Sequence, residues 1–205
     1  MNVKISTQHK LLAGFWWNDE LTFNHYKIKV DMLTVTPDVV EQNIAFLRLR
    51  HIIETTLDGV IFINQNETDT IEKINQANLK LALVPEDPVD QIIGMLLHSK
   101  LSAVMEEKIL IRSLTVSSVK GDEVEYHHDD IEVNPFYNTA GWWGDRSPDN
   151  LQNTGSSDAM QHNLSLIAAD RRWRELGLGW DEVAEDDDVD SGNVLVFGEF
   201  KKNED

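Results

Sequence analysis

The sequence predicts an α+β or α/β fold, with a mixed sheet of about five to six strands, three to four helices and an acidic C-terminal helical or loop extension. Two observations predict this class. Segments with the two-residue period of strands alternate with segments of helical period between residues 21 and 119, and a hairpin follows them. After residue 133 the periodicity stops, and Asn, Pro, Gly and Ser become frequent. We therefore expect an α/β core domain over residues 1–133 and an acidic C-terminal extension over 134–205, packed on the core or tethered to it.

The first expected elements are a strand, a helix and a second strand. From Leu21 to Val35 apolar and polar residues alternate, as in a strand with one covered face. Thr36-Pro37-Asp38 ends that strand, and Thr36 is expected to cap a helix that continues to Thr56. The run 60–63 is apolar throughout and rich in β-branched residues, which predicts a strand buried on both faces.

The middle of the core is expected to add two helices around one strand. A weak helix over 69–78 leads to a strand over 79–84, which two following prolines end. The clearest helix of the chain covers 88–107, where apolar residues form a broad face.

The last predicted elements are a hairpin, a helix and an edge strand. Residues 109–119 alternate with one slip, which predicts a bulged strand, and a turn leads from it into a strand over 124–127. A helix is expected over 157–176, and the apolar run 194–197 can form an edge strand.

Composition limits the classes of protein to which the chain can belong. Its 205 residues are 41% hydrophobic and include six tryptophans, which is enough for a real core. Cysteine is absent, so disulfides and cysteine nucleophiles are excluded. The sequence contains neither a signal-like apolar stretch at its start nor about 18 consecutive apolar residues anywhere. These features predict a soluble cytoplasmic protein.

The acidic charge is concentrated in one region. The formal net charge is −18, and residues 121–205 hold 21 acidic and 6 basic side chains, whereas residues 1–120 hold 15 acidic and 12 basic ones. A one-sided negative field attracts cationic partners and repels nucleic acid. The expected partner is therefore a basic surface of a protein, with no direct binding of nucleic acid and no membrane.

Two acidic clusters are candidates for such a docking surface, although an acid-rich run is also typical of a solvated flexible loop. The first cluster comprises Glu182, Glu185, Asp186, Asp187, Asp188 and Asp190, and the second comprises Asp122, Glu123, Glu125, Asp129, Asp130 and Glu132. Because dense carboxylates can imitate a phosphate backbone, we expect a non-enzymatic binder or inhibitor of a polymerase or nuclease. By class analogy, many viral proteins that disable host enzymes are small, acidic and free of cysteine.

Adjacent tryptophans supply the short-range part of this hypothesis. Trp142 and Trp143 lie in a loop-like segment, and Trp16-Trp17 near the start forms a similar pair. Neighbouring loop tryptophans are hard to bury together, so at least one of each pair is expected at a surface, where it can anchor a partner. The alternative is that they staple the chain ends to the core. The predicted partner-binding residues are Asp129, Asp130, Trp142, Trp143, Asp186, Asp187 and Asp188.

Two further function classes stay open. His127 and His128 with Asp129 and Asp130 offer ligands for the metal of a hydrolase, although neighbouring strand residues point to opposite faces. A structural component that forms homo-oligomers is the other alternative. The aspartates of 186–190 do not fit a calcium loop, since glycine is one position late. No P-loop or G-x-S-x-G motif is present, and no cofactor is predicted.

Overall fold

The computed structural model describes residues 3–129, 134–137, 139–152 and 159–180, with the side chains of 159–165 excepted. Within them lie one mixed six-stranded sheet and four α-helices, so the predicted α+β class is confirmed. The edge strand expected at 194–197 and the acidic run 181–190 lie outside the described residues. The two-domain division stays a prediction. The strands are β1 (Lys4–Trp17), β2 (Glu20–Thr34), β3 (Ile61–Asn64), β4 (Leu81–Val84), β5 (Ile109–Ser118) and β6 (Tyr126–His128), and the helices are α1 (Val39–His51), α2 (Thr68–Gln76), α3 (Asp90–Met105) and α4 (Ala159–Glu175).

A long β1–β2 hairpin forms the centre of the sheet. The two strands pair antiparallel from Lys4 opposite Leu33 to Trp17 opposite Glu20. Asn18 and Asp19 make the connecting turn with φ of 51° and 60°. Asn and Asp tolerate this left-handed conformation, which suits the right-handed twist of the flanking strands. The sequence analysis predicted β2 but not β1.

The strand order is β4-β3-β1-β2-β5-β6, with parallel pairing at β1–β3 and β3–β4 and antiparallel pairing elsewhere. As predicted from its apolar run, β3 is buried on both faces, because Phe62 belongs to the main core and Ile61 and Ile63 to a smaller one on the other side of the sheet. The expected slip in β5 is a register shift opposite Asp31 and Met32 of β2.

The helices cover the two faces of the sheet unequally. The apolar sides of α1 and α3 pack on one face in the main core, together with Trp173 of α4. On the other face the described residues place one helix, α2, whose Ile71 and Ile74 pack against β3 and β4. Within the described ranges, no helix is long and apolar enough to cross a bilayer.

The start of α1 differs from the prediction by two residues. Asp38, rather than Thr36, caps the helix, and its carboxylate accepts hydrogen bonds from Val40 N at 2.8 Å and Glu41 N at 3.4 Å. A carboxylate also suits the positive end of the helix dipole. Thr36 instead donates to the Glu41 carboxylate at 2.6 Å. At its other end the helix continues into a π-helical turn over Ile52–Thr56, which completes the predicted helical span.

Within the described residues, this unequal covering leaves part of the sheet without a helix over it. We call the side of β1, β2, β5 and β6 that faces away from α1 and α3 the open face. It comprises Lys4, Ser6, Gln8, Lys10 and Leu12 of β1, Phe23, His25, Lys27, Lys29 and Asp31 of β2, Ser113 and Thr115 of β5, and His127 of β6.

Candidate functional site: the open face and its two strand edges

The strand register arranges the open face in rows. Lys10 of β1 lies directly opposite Lys27 of β2. The next row runs from Gln8 through Lys29 to Thr115 and His127, where the Thr115 hydroxyl and His127 Nδ1 are hydrogen-bonded at 2.9 Å. Since side chains on one face of adjacent strands contact each other, these rows bring together residues that are distant in sequence.

Positive and negative charges lie on different halves of this face. The β1–β2 half carries Lys4, Lys10, Lys27 and Lys29 against one carboxylate, Asp31. The β5–β6 half carries Glu123 in the turn, Glu125 beside His127 at 3.6 Å, and the exposed Asp129 at the end of β6. Two exposed cations, Arg112 of β5 and Lys120 of the turn, lie further from the outer edge of β6. The face is therefore basic at β1 and acidic at β6.

Asp31 is the carboxylate of the basic half, and neighbouring side chains already give it hydrogen bonds and an ion pair. A hydrogen bond from Ser6 is the main reason that its pKa is lowered, and Ser113 at 3.1 Å and Lys29 at 3.4 Å add to the effect. Asp31 thus stays ionised at neutral pH, and it neutralises one of the four lysines.

The first edge of the open face is the outer side of β1. Thr34 N donates to Val3 O, so odd-numbered residues of β1 bond to β2. Gly14 N donates to Val60 O, and Leu12 O accepts from Gly59 N, so even-numbered residues point the other way. Neighbouring residues of a strand alternate in this respect. In the described part of the chain, the outward groups of Ser6, Gln8 and Lys10 meet no strand, because β3 pairs with β1 only at residues 14 and 15.

The second edge is the outer side of β6, the last strand in the sheet order. Its three residues pair with β5 on one side, and the described residues place nothing in its ladder on the other. By contrast, the outer edge of β4 is covered: Leu83 N donates to Leu151 O, and Leu83 O accepts from the Trp142 indole. Among the residues that the structure describes, the sheet therefore has one protected edge and two unpaired ones of opposite charge.

The two predicted anchor tryptophans lie in the interior. Trp142 is 0% exposed and Trp143 is 3% exposed, so the expectation that one of them lies at a surface is wrong. A 3-10 turn over Trp142–Gly144 holds the rings edge to face, 6.1 Å apart. Burial is tolerated because both indole N–H groups find acceptors, Leu83 O at 2.6 Å and the Thr139 hydroxyl at 2.9 Å. This arrangement matches the alternative that they staple the chain to the core.

A buried lysine holds the same loop. The Lys100 side chain is 0% exposed, and its ammonium donates to Asp145 O and Ser147 O, both at 2.7 Å. Burial lowers the pKa of Lys100 to about 8, while the charges of Asp145 and Asp149 oppose that shift. Because the group is enclosed, its role is to fix the loop on α3.

A buried arginine attaches the end of the described chain to the core. The Arg48 guanidinium lies 3.8 Å from the ring centre of Trp180 and 4.8 Å from that of Trp173. It donates to Glu106 Oε1 at 2.8 Å and to Leu178 O at 2.9 Å. The same carboxylate oxygen accepts from the Trp180 indole at 3.0 Å. These contacts are internal and leave no group free for chemistry.

The histidine pair divides between the two faces of the sheet. His127 lies on the open face, whereas His128 packs against Gly94 of α3, where burial is the main reason that its pKa is lowered. One ion cannot contact both rings in this geometry. The described residues contain no group of three or more ligands that could hold a metal. Of the predicted carboxylates, Asp129 is exposed, while Asp130 and Asp186 to Asp188 lie outside the described residues.

Sequence reasoning missed the lysines of the open face. Lys27 and Lys29 occupy alternate, polar positions of a strand that was predicted. The alternation of polar and apolar residues there was enough to place both lysines on one face. Lys4 and Lys10 required the recognition of β1, for which Asn18-Asp19 between two long alternating runs was the available signal.

The comparisons with known proteins found weak structural similarity and no matching sequence family. No family model matches the sequence, and no curated protein matches it. Among solved structures, an uncharacterized protein from Wolinella succinogenes is 12% identical, with a TM-score of 0.43 over 63% of this chain and 99% of that one. A 6-pyruvoyl tetrahydropterin synthase from Plasmodium vivax is 10% identical, with a TM-score of 0.42 over 63% and 99%. The synthase from Caenorhabditis elegans is 12% identical, with a TM-score of 0.40 over 63% and 96%.

These neighbours correct the function predicted from charge. The prediction of a non-enzymatic acidic binder that mimics nucleic acid is wrong, since the characterized structures named above are 6-pyruvoyl tetrahydropterin synthases. Net charge informs on solubility and long-range attraction, which many folds share, and so it does not identify an activity. With TM-scores below 0.5, the likeness carries no argument about the reaction or ligand of this chain.

Proposed function

We propose that the chain is the repeating subunit of a homo-oligomer, in which the β1 edge of one copy pairs with the β6 edge of the next. The sequence left a homo-oligomer as an untested alternative, and the free edges supply a mechanism for it. The observation that carries the proposal is the opposite charge of the two edges, with Lys4 and Lys10 on one and Glu125 and Asp129 on the other.

Unpaired strand edges favour this assembly over a monomer. A free edge presents N–H and C=O groups that can bond to another strand, and proteins protect such edges or pair them. Lysines on β1 disfavour pairing of two β1 edges, because like charges would then lie close together. Pairing of β1 with β6 brings lysines beside carboxylates instead. This contact is head to tail, so a closed ring satisfies every edge.

The first experiment measures the mass of the protein by light scattering coupled to gel filtration. The chain has a mass of 23.4 kDa, and we expect a single species at a whole multiple of it. Gln8→Pro removes one outward N–H of β1 without touching the ladder to β2, and proline is tolerated at such edge positions. We expect this variant to be monomeric. Gln8→Ala keeps the N–H and serves as the matched control, which should remain oligomeric.

A charge swap then tests which edges meet. Lys4→Glu with Lys10→Glu should dissociate the oligomer, and so should Glu125→Lys with Asp129→Lys. The chain that carries all four changes should associate again, because the glutamates on its β1 edge then meet the lysines on the β6 edge of the next copy. A wild-type chain that is monomeric at 100 μM, or variants that all keep the native mass, would rule out the proposal.

A further inference from the structure

The basic half of the open face is an unusual surface for this chain. Lys4, Lys10, Lys27 and Lys29, which we call the lysine face, lie together in a protein of net charge −18. Lys10 and Lys27 are directly opposite each other, and like charges in that position destabilise strand pairing. Such an arrangement is stabilised by an anionic group placed over it.

The neighbouring carboxylates do not fully neutralise the lysine face. Lys27 has an ion pair with Glu123 at 3.0 Å, and Lys29 has one with Asp31 at 3.4 Å. In the part of the chain that the structure describes, Lys4 and Lys10 form no salt bridge. The side chains of Lys27 and Lys29 remain 49% and 57% exposed, so both can accept a further anionic partner.

The described chain ends at the same end of the sheet as Lys4, but on the face that the helices cover. Trp180 is held by Glu106 at 3.0 Å and lies 5.6 Å from the Lys108 ammonium, directly before β5. The first pairs of β5 lie beside the end of β2, where Leu33 pairs with both Lys4 and Leu110. Trp180 therefore stands at the end of the sheet where the lysine face begins.

The next ten residues are long enough to reach the lysines. From the row of Leu33 to that of Lys29 is about 14 Å at roughly 3.4 Å per residue, and packed layers lie about 10 Å apart. The path from Trp180 around the end of the sheet to Lys29 is therefore about 24 Å. Ten extended residues span about 33–36 Å. Seven of the ten residues 181–190 are acidic, so their carboxylates can lie over Lys4, Lys29 and Lys27 in turn.

We infer that residues 181–190 dock on the lysine face of their own chain. The segment is the occupant, and no second protein is involved. Its charge is complementary to the lysines, and its attachment at Trp180 gives it a high effective concentration there. This inference does not depend on the proposed edge pairing, because it concerns the face of the sheet and is expected in a monomer as well.

The test measures how fast individual lysines react with an acetylating reagent, read by peptide mass spectrometry on the full chain. We expect the triple variant Asp186→Asn, Asp187→Asn and Asp188→Asn to acetylate Lys10 and Lys27 about three- to ten-fold faster than the wild type. Salt at 0.5 M should have the same effect on the wild type, since it screens the attraction. Lys73, exposed on α2, should be unchanged throughout.

Two controls separate this inference from its alternatives. Asp19→Asn, Asp58→Asn and Glu86→Gln together change the net charge equally, and this variant should keep the wild-type rates. In the Gln8→Pro background, protection should persist, which distinguishes docking of the segment from shielding by a neighbouring copy.

Carbodiimide cross-linking of a mixture of normal and 15N-labelled copies should join residues 182–190 to the lysine face within one copy. Links found only between copies, or equal rates in wild type and triple variant, would overturn the inference.

Discussion

Arg48 and Lys100 are both fully buried cations, but their surroundings differ. Arg48 lies between two indole rings and donates to the Glu106 carboxylate. Lys100 donates only to two backbone carbonyls, with the carboxylates of Asp145 and Asp149 acting at longer range. A guanidinium is weakly hydrated and planar, so it stacks and pairs at little cost, whereas an ammonium is strongly hydrated.

The comparison shows that the type of cation decides whether a buried charge titrates in an ordinary pH range. Burial lowers the pKa of both groups, and Glu106 opposes the shift at Arg48. Arginine stays protonated at any ordinary pH. Lys100, with its pKa near 8, changes its charge in an accessible range. Arg48 should therefore stay charged at every ordinary pH, whereas Lys100 should lose its charge above about pH 8.

The largest expected effect comes from removing the guanidinium. Arg48→Leu leaves Leu178 O without a donor and removes one of the two arginine partners of Glu106, which keeps Arg146 at 2.7 Å. We expect the free energy of unfolding to fall by about 3 kcal/mol. Chemical denaturation measures the change. Arg48→Lys keeps the charge without the planar group and should fall between the variant and the wild type. Equal stability of Arg48→Leu and the wild type would show that the contacts of Arg48 do not stabilise the fold.

The pH dependence of stability gives the next effect. The pKa of Lys100 is lower in the folded chain than in the unfolded one, so between pH 8 and 10 the unfolded state binds more protons, and stability rises with pH. We expect a gain of about 2 kcal/mol from pH 7 to 9.5 relative to Lys100→Met. Above pH 10 the raised pKa of buried Tyr26 opposes the trend. Parallel urea titrations of both proteins test this, and identical pH slopes would contradict it.

A smaller change should follow when Arg48 is kept and the ring of Trp180 beside it is removed. Trp180→Leu keeps an apolar side chain beside Arg48 but removes the cation–π contact and the indole hydrogen bond to Glu106. We expect a loss of about 1–2 kcal/mol in the free energy of unfolding. Trp180→Phe, which retains a ring, should lose less. A larger loss for Phe than for Leu would show that the ring is not the important group.

The smallest effect is expected at an exposed cation. Arg172 forms ion pairs with Asp149 at 2.8 Å and Glu175 at 3.0 Å, but its side chain is 45% exposed. Solvent screens such pairs, so Arg172→Ala should leave the unfolding midpoint within the error of the measurement. A clear loss of stability there would mean that ion pairing alone, without burial, stabilises this extension.

Most of the fold was predictable from periodicity, while β1 was not. The helices and β2 to β6 follow the spacing of apolar residues, which burial against one core imposes. In β1 the start carries few apolar residues, because its outward positions hold Lys4, Ser6, Gln8 and Lys10. The hairpin turn at Asn18-Asp19 was a local signal that the apolar pattern alone did not reveal.

The candidate site was much harder to predict than the fold. Its rows depend on register between strands that are about 90 residues apart, and no local pattern encodes that distance. The buried cations are intermediate cases. Lys100 follows Ile93 and Leu97 at helical spacing and precedes Val104, so its place on the apolar face of α3 was readable, although its carbonyl partners were not.

The pairing of β2 with β5 has a consequence for the order in which the chain folds during synthesis. The β1–β2 hairpin is complete at Thr34, but the partner of its outer strand ends at Ser118. At about 5–20 residues per second, the ribosome needs roughly 4–17 s to supply the intervening residues. During that time the outer side of β2 lacks its neighbour, which leaves this strand of the nascent chain open to incorrect pairing with other chains.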